Sequence, residues 1–122
     1  MNITTIEQKE NRIALVECEE LLIRDVQSAL DLMASVNYNC NSSRIVLYKS
    51  AVTEDFFELS TCLAGEILQK FINYGVKLAI IGDYANYTSK SLRDFIYESN
   101  HGKDVFFVAT KEEAVEILAT AK

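Results

Sequence analysis

Gly75-Val76-Lys77-Leu78-Ala79-Ile80-Ile81-Gly82-Asp83 is the stretch on which the reading of this chain turns. Gly75 stops a helix, Val76 to Ile81 contains the apolar run Leu78-Ala79-Ile80-Ile81 and reads as a strand, and Gly82-Asp83 supplies a turn. Upstream of Gly75, Phe56, Leu59, Leu63, Ile67 and Phe71 recur as one apolar stripe. That spacing predicts a long helix with Thr53 as N-cap and with Glu54 and Asp55 where the helix dipole favours negative charge. Gly65 in mid-helix costs about 1 kcal/mol relative to alanine, so a close neighbour is expected there. Downstream of Asp83 come a polar loop and a helix capped by Thr88 or Ser89, with Leu92, Phe95 and Ile96 inward. Asn100-His101-Gly102 is its exit.

The same reading extends to both ends. Arg44 to Tyr48 and Val105 to Val108 are strands, and Thr110-Lys111-Glu112-Glu113 is a capping box opening a last helix through about Ala119. Asn2 to Gln8 and Arg12 to Cys18 are strands joined by a polar turn at Lys9-Glu10-Asn11. Ile13-Ala14-Leu15-Val16 lacks alternation and is therefore buried on both faces. Leu22, Ile23, Val26, Ala29, Leu30 and Met33 predict a helix over about 22–36, ended by the turn formers from Asn37 to Ser42. The order is ββαβαβαβα. Helical crossovers of roughly 15–25 residues cannot be hairpins, so the last four strands run mainly parallel, the first antiparallel, and the helices cover the sheet. The fold class is α/β, one layered domain over 1–122.

Composition agrees. Hydrophobic residues make up 49% and charged ones 25% of 122 residues, and proline is absent, which is the profile of an ordinary globular domain rather than of a disordered tract. Scaling laws give roughly 6,600 Å² of accessible surface for a folded chain of this size, about a third of its unfolded value. Twelve basic against 18 acidic residues give a net charge of −6, which repels phosphate backbones; nucleic acid is not an expected partner. Neither a membrane span nor a secretion signal is legible, so the expected location is cytoplasmic and no membrane role is expected. Cys18, Cys40 and Cys62 form no CxxC pair and have a single histidine, His101, beside them in the whole sequence. They read as reduced thiols, Cys62 as helix packing, and no metal site or cofactor is expected.

In open parallel sheets, ligands bind beyond the carboxyl ends of the strands. The loops to watch are therefore Cys18-Glu19-Glu20, Lys49 to Thr53, Gly82 to Tyr87 and Ala109-Thr110-Lys111. Asp83 follows an apolar strand and stands either as a functional carboxylate or as an Asx-turn. Lys49 and Ser50 meet Asp83 if the third and fourth strands are neighbours. After Tyr87, which ends the preceding loop, Thr88-Ser89-Lys90-Ser91 opens a helix with hydroxyls, amides and a cation that suit an anion, although capping alone accounts for Thr88 and Ser89. Lys90 and Asp94 are an i,i+4 pair, and Arg93 beside Tyr97 suits a partner interface. His101 lies in a turn with no identifiable nucleophile to serve.

Two resemblances follow from particular residues. The segments Glu54 to Thr61, Leu63 to Phe71 and Tyr87 to Ile96 resemble the bacterial family catalogued as domain of unknown function 4180. More distantly, the element order, Gly75 to Asp83 and Phe106 to Ala114 are similar to STAS domains, the fold of bacterial anti-anti-sigma factors. Switching STAS domains carry an Asp-Ser-Ser-Gly-Leu-like turn with a phosphorylatable serine, where this chain has Lys49-Ser50-Ala51-Val52-Thr53-Glu54-Asp55. That departure speaks against kinase-controlled switching. The resemblance implies a scaffold that presents a helix face and loop to a protein partner.

The expected function is thus a non-catalytic regulatory or protein-interaction module, self-associating or bound to another protein. Its contact surface comprises Lys49, Ser50, Thr53, Asp55, Asp83, Tyr87, Ser89, Lys90 and Arg93. The alternative is a binder of an anionic metabolite or nucleotide, or an enzyme, with its site at the same edge.

Overall fold

The computed structural model describes residues 2–121. Lys9 and Glu10 take positive φ, 52° and 68°, as the two central positions of a type I′ turn require. β1 (Asn2–Gln8) therefore folds back on β2 (Asn11–Glu17) in an unbroken antiparallel register from Gln8↔Asn11 to Asn2↔Glu17. The other elements are α1 (Val26–Cys40), β3 (Arg44–Tyr48), α2 (Leu63–Asn73), β4 (Lys77–Ile81), α3 (Lys90–Asn100), β5 (Val105–Val108) and α4 (Lys111–Thr120). The strands lie in chain order β1-β2-β3-β4-β5, with every neighbour after β2 parallel. The expected α/β fold, with an antiparallel first strand on an otherwise parallel sheet, is what forms.

Strands laid down in one direction with a constant crossover hand place their helices on one face. Accordingly α1, α2 and α3 share a core with Val16, Ile45, Leu47, Leu78, Ile80 and Phe107, while α4 covers the alternate residues Ile13, Leu15, Val46, Ala79 and Phe106 on the other face. Both faces of β2, β3, β4 and β5 are dry. The accessible area is 6850 Å², close to the value expected from chain length. α4 is tied across the sheet at its C-terminal end: Arg44 donates to the carbonyls of Leu118 and Ala121, and Asn11 to that of Ala119. A cation at those last carbonyls also suits the helix dipole. Lys77 is buried in β4, and its ammonium donates to the Lys103 carbonyl at 2.6 Å and reaches Asp104 at 3.3 Å.

Two helices differ from the periodicity reading. Leu22 and Ile23 are not helical; Ile23 bridges Val52 in parallel, and the Leu22 and Ile23 amides both donate to the Ala51 carbonyl. α1 begins instead where Asp25 and Ser28 form a reciprocal capping box, Ser28 N–H donating to the Asp25 carboxylate and Asp25 N–H to the Ser28 hydroxyl. The Ser28 bonds hold the Asp25 carboxyl below the usual carboxylate range. The helix then runs through the expected turn to Asn41, whose left-handed φ of 51° ends it.

The second correction concerns the long helix. Thr53 makes no side-chain cap, and the chain takes two 3-10 turns, Glu54–Phe57 and Leu59–Thr61, before α2 starts at Leu63. The Thr61 hydroxyl lies 2.8 Å from both the Asp55 and Glu58 carbonyls and accepts from Leu63 N–H, so a side chain takes bonds that a continuous helix would make along its backbone. Cys62 sits between, at φ 62° and exposed, not packed on a helix as expected. α2 ends as foreseen: Gly75 is left-handed, and Val76 N–H reaches back to the Phe71 carbonyl at 2.8 Å.

Gly65 does not face a close neighbour; a Cβ there would meet nothing within 4 Å. Its helical site is therefore compatible with alanine, and Gly65→Ala is expected to stabilise the protein by about 0.5–1 kcal/mol in urea denaturation. The crowded glycine is Gly82, where a Cβ would lie 2.7 Å from the Lys49 Cβ.

Candidate functional site at the carboxyl edge of the sheet

β3 and β4 end side by side, Tyr48 opposite Ile81, so the loops that follow meet at one rim. Lys49 opens a 3-10 turn directly after β3, and its stem lies along Gly82 just after β4. The Lys49 ammonium pairs with Glu54 at 2.6 Å, and the Tyr87 hydroxyl donates to the same carboxylate, 3.1 and 3.0 Å from its two oxygens. Below this polar clasp lie rings. Phe57 stacks on Tyr87 at 5.3 Å between centroids, with Tyr84 6.0 Å and Phe107 6.3 Å from Phe57. The Lys49 ammonium is 5.0 Å from the centroids of both Phe57 and Tyr87, within cation–π range.

The charges answer to this geometry. The hydrogen bond from Lys49 holds the Glu54 carboxyl below its ordinary range, against the opposing effect of partial burial. Burial is the largest single influence on Lys49 and works to lower its pKa, but the interactions with Glu54 and Tyr87 together outweigh it and the net shift is upward. Burial raises Tyr87, and raises Tyr84 further; the Tyr84 hydroxyl donates to the Ile80 carbonyl at 2.8 Å. All four groups hold one protonation state at neutral pH. An exposed pair of this kind is worth well under about 1 kcal/mol, so its consequence is positional: it pins the Glu54–Phe57 turn to the loop that follows β4.

The structure brings Lys49 and Tyr87 together and leaves the other candidates apart. Asp83 shares the rim with Lys49 but does not touch it; its carboxylate accepts from Ala85 N–H at 2.9 Å, an Asx-turn. Ser50 is exposed on the other side, bounding an open cleft of about 960 Å³ with Glu17, Glu19 and Glu20. Thr53 contributes backbone, donating its N–H to the Ile23 carbonyl and accepting from Phe56 N–H. Asp55 is exposed, and its carbonyl accepts from Glu58 N–H. Ser89, not Thr88, caps α3 by accepting from Leu92 N–H. Lys90 pairs with Asp94 at 2.8 Å. Arg93 is exposed, while Tyr97 lies against His101 with the rings tilted by 36°, and the His101 Nδ1 is 2.8 Å from the Tyr97 carbonyl.

Glu54 is the participant that sequence reasoning missed. It stood as a favourable charge at a helix start, and its separation from Lys49 matches neither helical pairing interval. No local sequence signal marks the pair, because it depends on the Lys49 stem lying along Gly82. Among the described residues no group of three or more His, Cys, Asp or Glu is placed to hold a metal ion, and no helix is long and apolar enough to cross a membrane.

Fold and rim together define a single α/β domain with a mixed five-stranded sheet and a carboxylate-rich carboxyl edge. The chain belongs to the family described as Domain of unknown function (DUF4180), whose profile matches residues 8–118. Neither a curated protein nor a solved structure matches it.

Proposed function

We propose that this domain is a non-catalytic, cytoplasmic protein-interaction module that receives a basic segment of a partner protein on the carboxyl edge of its sheet. One observation carries the reading. Glu17, Glu19, Glu20, Asp55, Glu58 and Asp83 are exposed around that edge, and among the described residues none of the six is in a salt bridge. At the opposite end three ion pairs form, Arg12–Glu7, Lys9–Glu116 and Lys77–Asp104, although Glu10 there is also unpaired among the described residues. Part of the rim's acidity serves the helix N-termini gathered there, but Glu17, Glu19 and Glu20 precede α1 without capping it. The clasp supports the same reading, because a fixed loop surface loses less entropy on binding. The kinship to STAS domains is supported by the element order and by three crossover helices on one face.

The alternative of an anionic small-molecule ligand is less well served, since the cleft beside Ser50 is bounded by three carboxylates that repel an anion. The test compares wild type with the triple variant Glu19→Gln, Glu20→Gln, Asp83→Asn in capture from a native lysate at low and high salt. A basic protein retained by wild type, lost at high salt and bound roughly tenfold or more weakly by the variant supports the rim. Equal capture by both proteins would remove it from consideration.

A further inference from the structure

The two edges of the sheet are treated differently. β5 has four residues, and its outward-facing Phe107 is closed by Asn100, whose amide donates to the Phe107 carbonyl and accepts from its N–H. β1 has seven residues, Asn-Ile-Thr-Thr-Ile-Glu-Gln, in unbroken register with β2. It has no proline, no lysine and no bulge to blunt it, and its one charge, Glu7, is paired with Arg12.

The hairpin specifies which groups this edge offers. A two-residue type I′ loop closes on Gln8↔Asn11 as a hydrogen-bonded pair, and such pairs alternate along an antiparallel ladder. Gln8, Ile6, Thr4 and Asn2 thus bond inward to β2, leaving the N–H and C=O groups of Ile3, Thr5 and Glu7 directed outward. We propose that a second copy of this chain pairs with β1 antiparallel, about a two-fold axis at Thr5 perpendicular to the sheet. A perpendicular axis keeps each face of the sheet continuous, so residues that pair must share parity. Centring on Thr5 meets that condition over the whole strand, with Thr5 facing its own copy, Ile3 facing Glu7 and Thr4 facing Ile6.

Three features of the strand and its surroundings fit that occupant. Glu7 faces Ile3 of the other copy rather than its own equivalent, and its charge is already held by Arg12 at 2.7 Å, so two chains of net charge −6 meet where acid is neutralised. Ile6 lies against the core under α4 and Ile3 against the core under α1, so each face of the join carries one apolar side chain from each copy. Tyr38, 90% exposed, borders a hollow with Thr5 and Glu7 beside this edge. The proposed register brings Ile3 of the other copy to that place.

The experiment is sedimentation velocity or light scattering of untagged protein over roughly 1–100 µM, with Thr5→Pro and Thr5→Lys alongside. Proline removes an outward N–H that the monomer does not use; lysine sets two ammonium groups face to face across the axis. A wild-type dimer with both variants folded by circular dichroism and running as 13.8 kDa monomers is the expected result; should the proline variant fail to fold, a folded monomeric lysine variant decides the question. Wild type that stays monomeric throughout, including one whose edge accepts some other strand, overturns the proposal, as does a dimer that survives both substitutions. The carboxyl edge is a separate surface, so neither outcome bears on the basic-partner reading.

Discussion

Phe57→Ala is expected to cost about 3–5 kcal/mol in urea denaturation, the range for truncating a buried aromatic side chain. Phe57 is 3% exposed, with the rings of Phe56, Tyr84, Tyr87 and Phe107 all within aromatic contact distance. The loss combines transfer free energy, a cavity that these rings cannot collapse to fill because each is held elsewhere, and the edge-to-face contact with Phe56. Tyr84, for instance, is anchored by its hydroxyl to Ile80. Against a typical total of about 5–15 kcal/mol for a small domain, that is roughly a fifth or more of the stability. The proposed binding role gives a second readout: Phe57 is one of the two rings under the Lys49 ammonium, so on that reading the clasp to Glu54 loosens and capture of a basic partner falls even where the variant is still folded. Phe57→Leu, which keeps most of the volume, is expected to lose no more than about 1.5 kcal/mol. An alanine variant as stable as wild type would show that the ring does not belong to the core.

The sheet was legible because strand signals are local: Ile13 to Val16, Arg44 to Tyr48, Leu78 to Ile81 and Val105 to Val108 each announce burial within a few residues. Chain order and crossover length then left little freedom in topology. The errors fell where apolar spacing fits a helix but the chain has another use for the same residues. Leu22 and Ile23 continue the stripe of α1, yet Ile23 is taken by a bridge to Val52, a non-local contact that no window contains. Phe56 and Leu59 continue the stripe of α2, yet the Thr61 hydroxyl is the hydrogen-bond donor that the neighbouring Asp55 and Glu58 carbonyls meet instead of helical N–H groups. The start of α1 was readable from Asp25 and Ser28, which apolar periodicity outvoted. At the rim, the loops could be placed from topology, but the pairing of Lys49 with Glu54 and Tyr87 depends on the stem of Lys49 packing on Gly82, a contact across two strands. Asp83 conformed to the plainer of its two readings, a turn.

Asn100 should be the most sensitive polar residue in the molecule. Its side chain acts as a sixth strand one residue long, satisfying both the N–H and the C=O of Phe107 at 2.7 and 3.1 Å from the last position of α3. Asn100→Ala strips both groups of their partner in a part-buried setting; at about 1–3 kcal/mol for each unsatisfied group, the loss should reach about 2–4 kcal/mol, with faster amide exchange at Phe107. Asn100→Asp separates the two bonds. The carboxylate still accepts from the Phe107 N–H, so that amide stays protected, but it faces the Phe107 carbonyl with no proton to give. Its folded-state pKa is therefore raised above the unfolded value, and the variant binds a proton more readily when folded, so it gains stability relative to wild type as pH falls through that pKa. Denaturation of the three proteins at pH 7 and pH 5 checks the sign: N100D should approach wild type at the lower pH, N100A should not. A parallel pH response of both variants would exclude a direct bond to the Phe107 carbonyl. The alanine variant carries a further consequence for assembly. With β5 uncapped and β1 already open, each molecule presents two pairing edges, and association no longer closes at a dimer but extends. N100A should therefore form concentration-dependent higher oligomers that Thr5→Pro, by closing β1, limits in size.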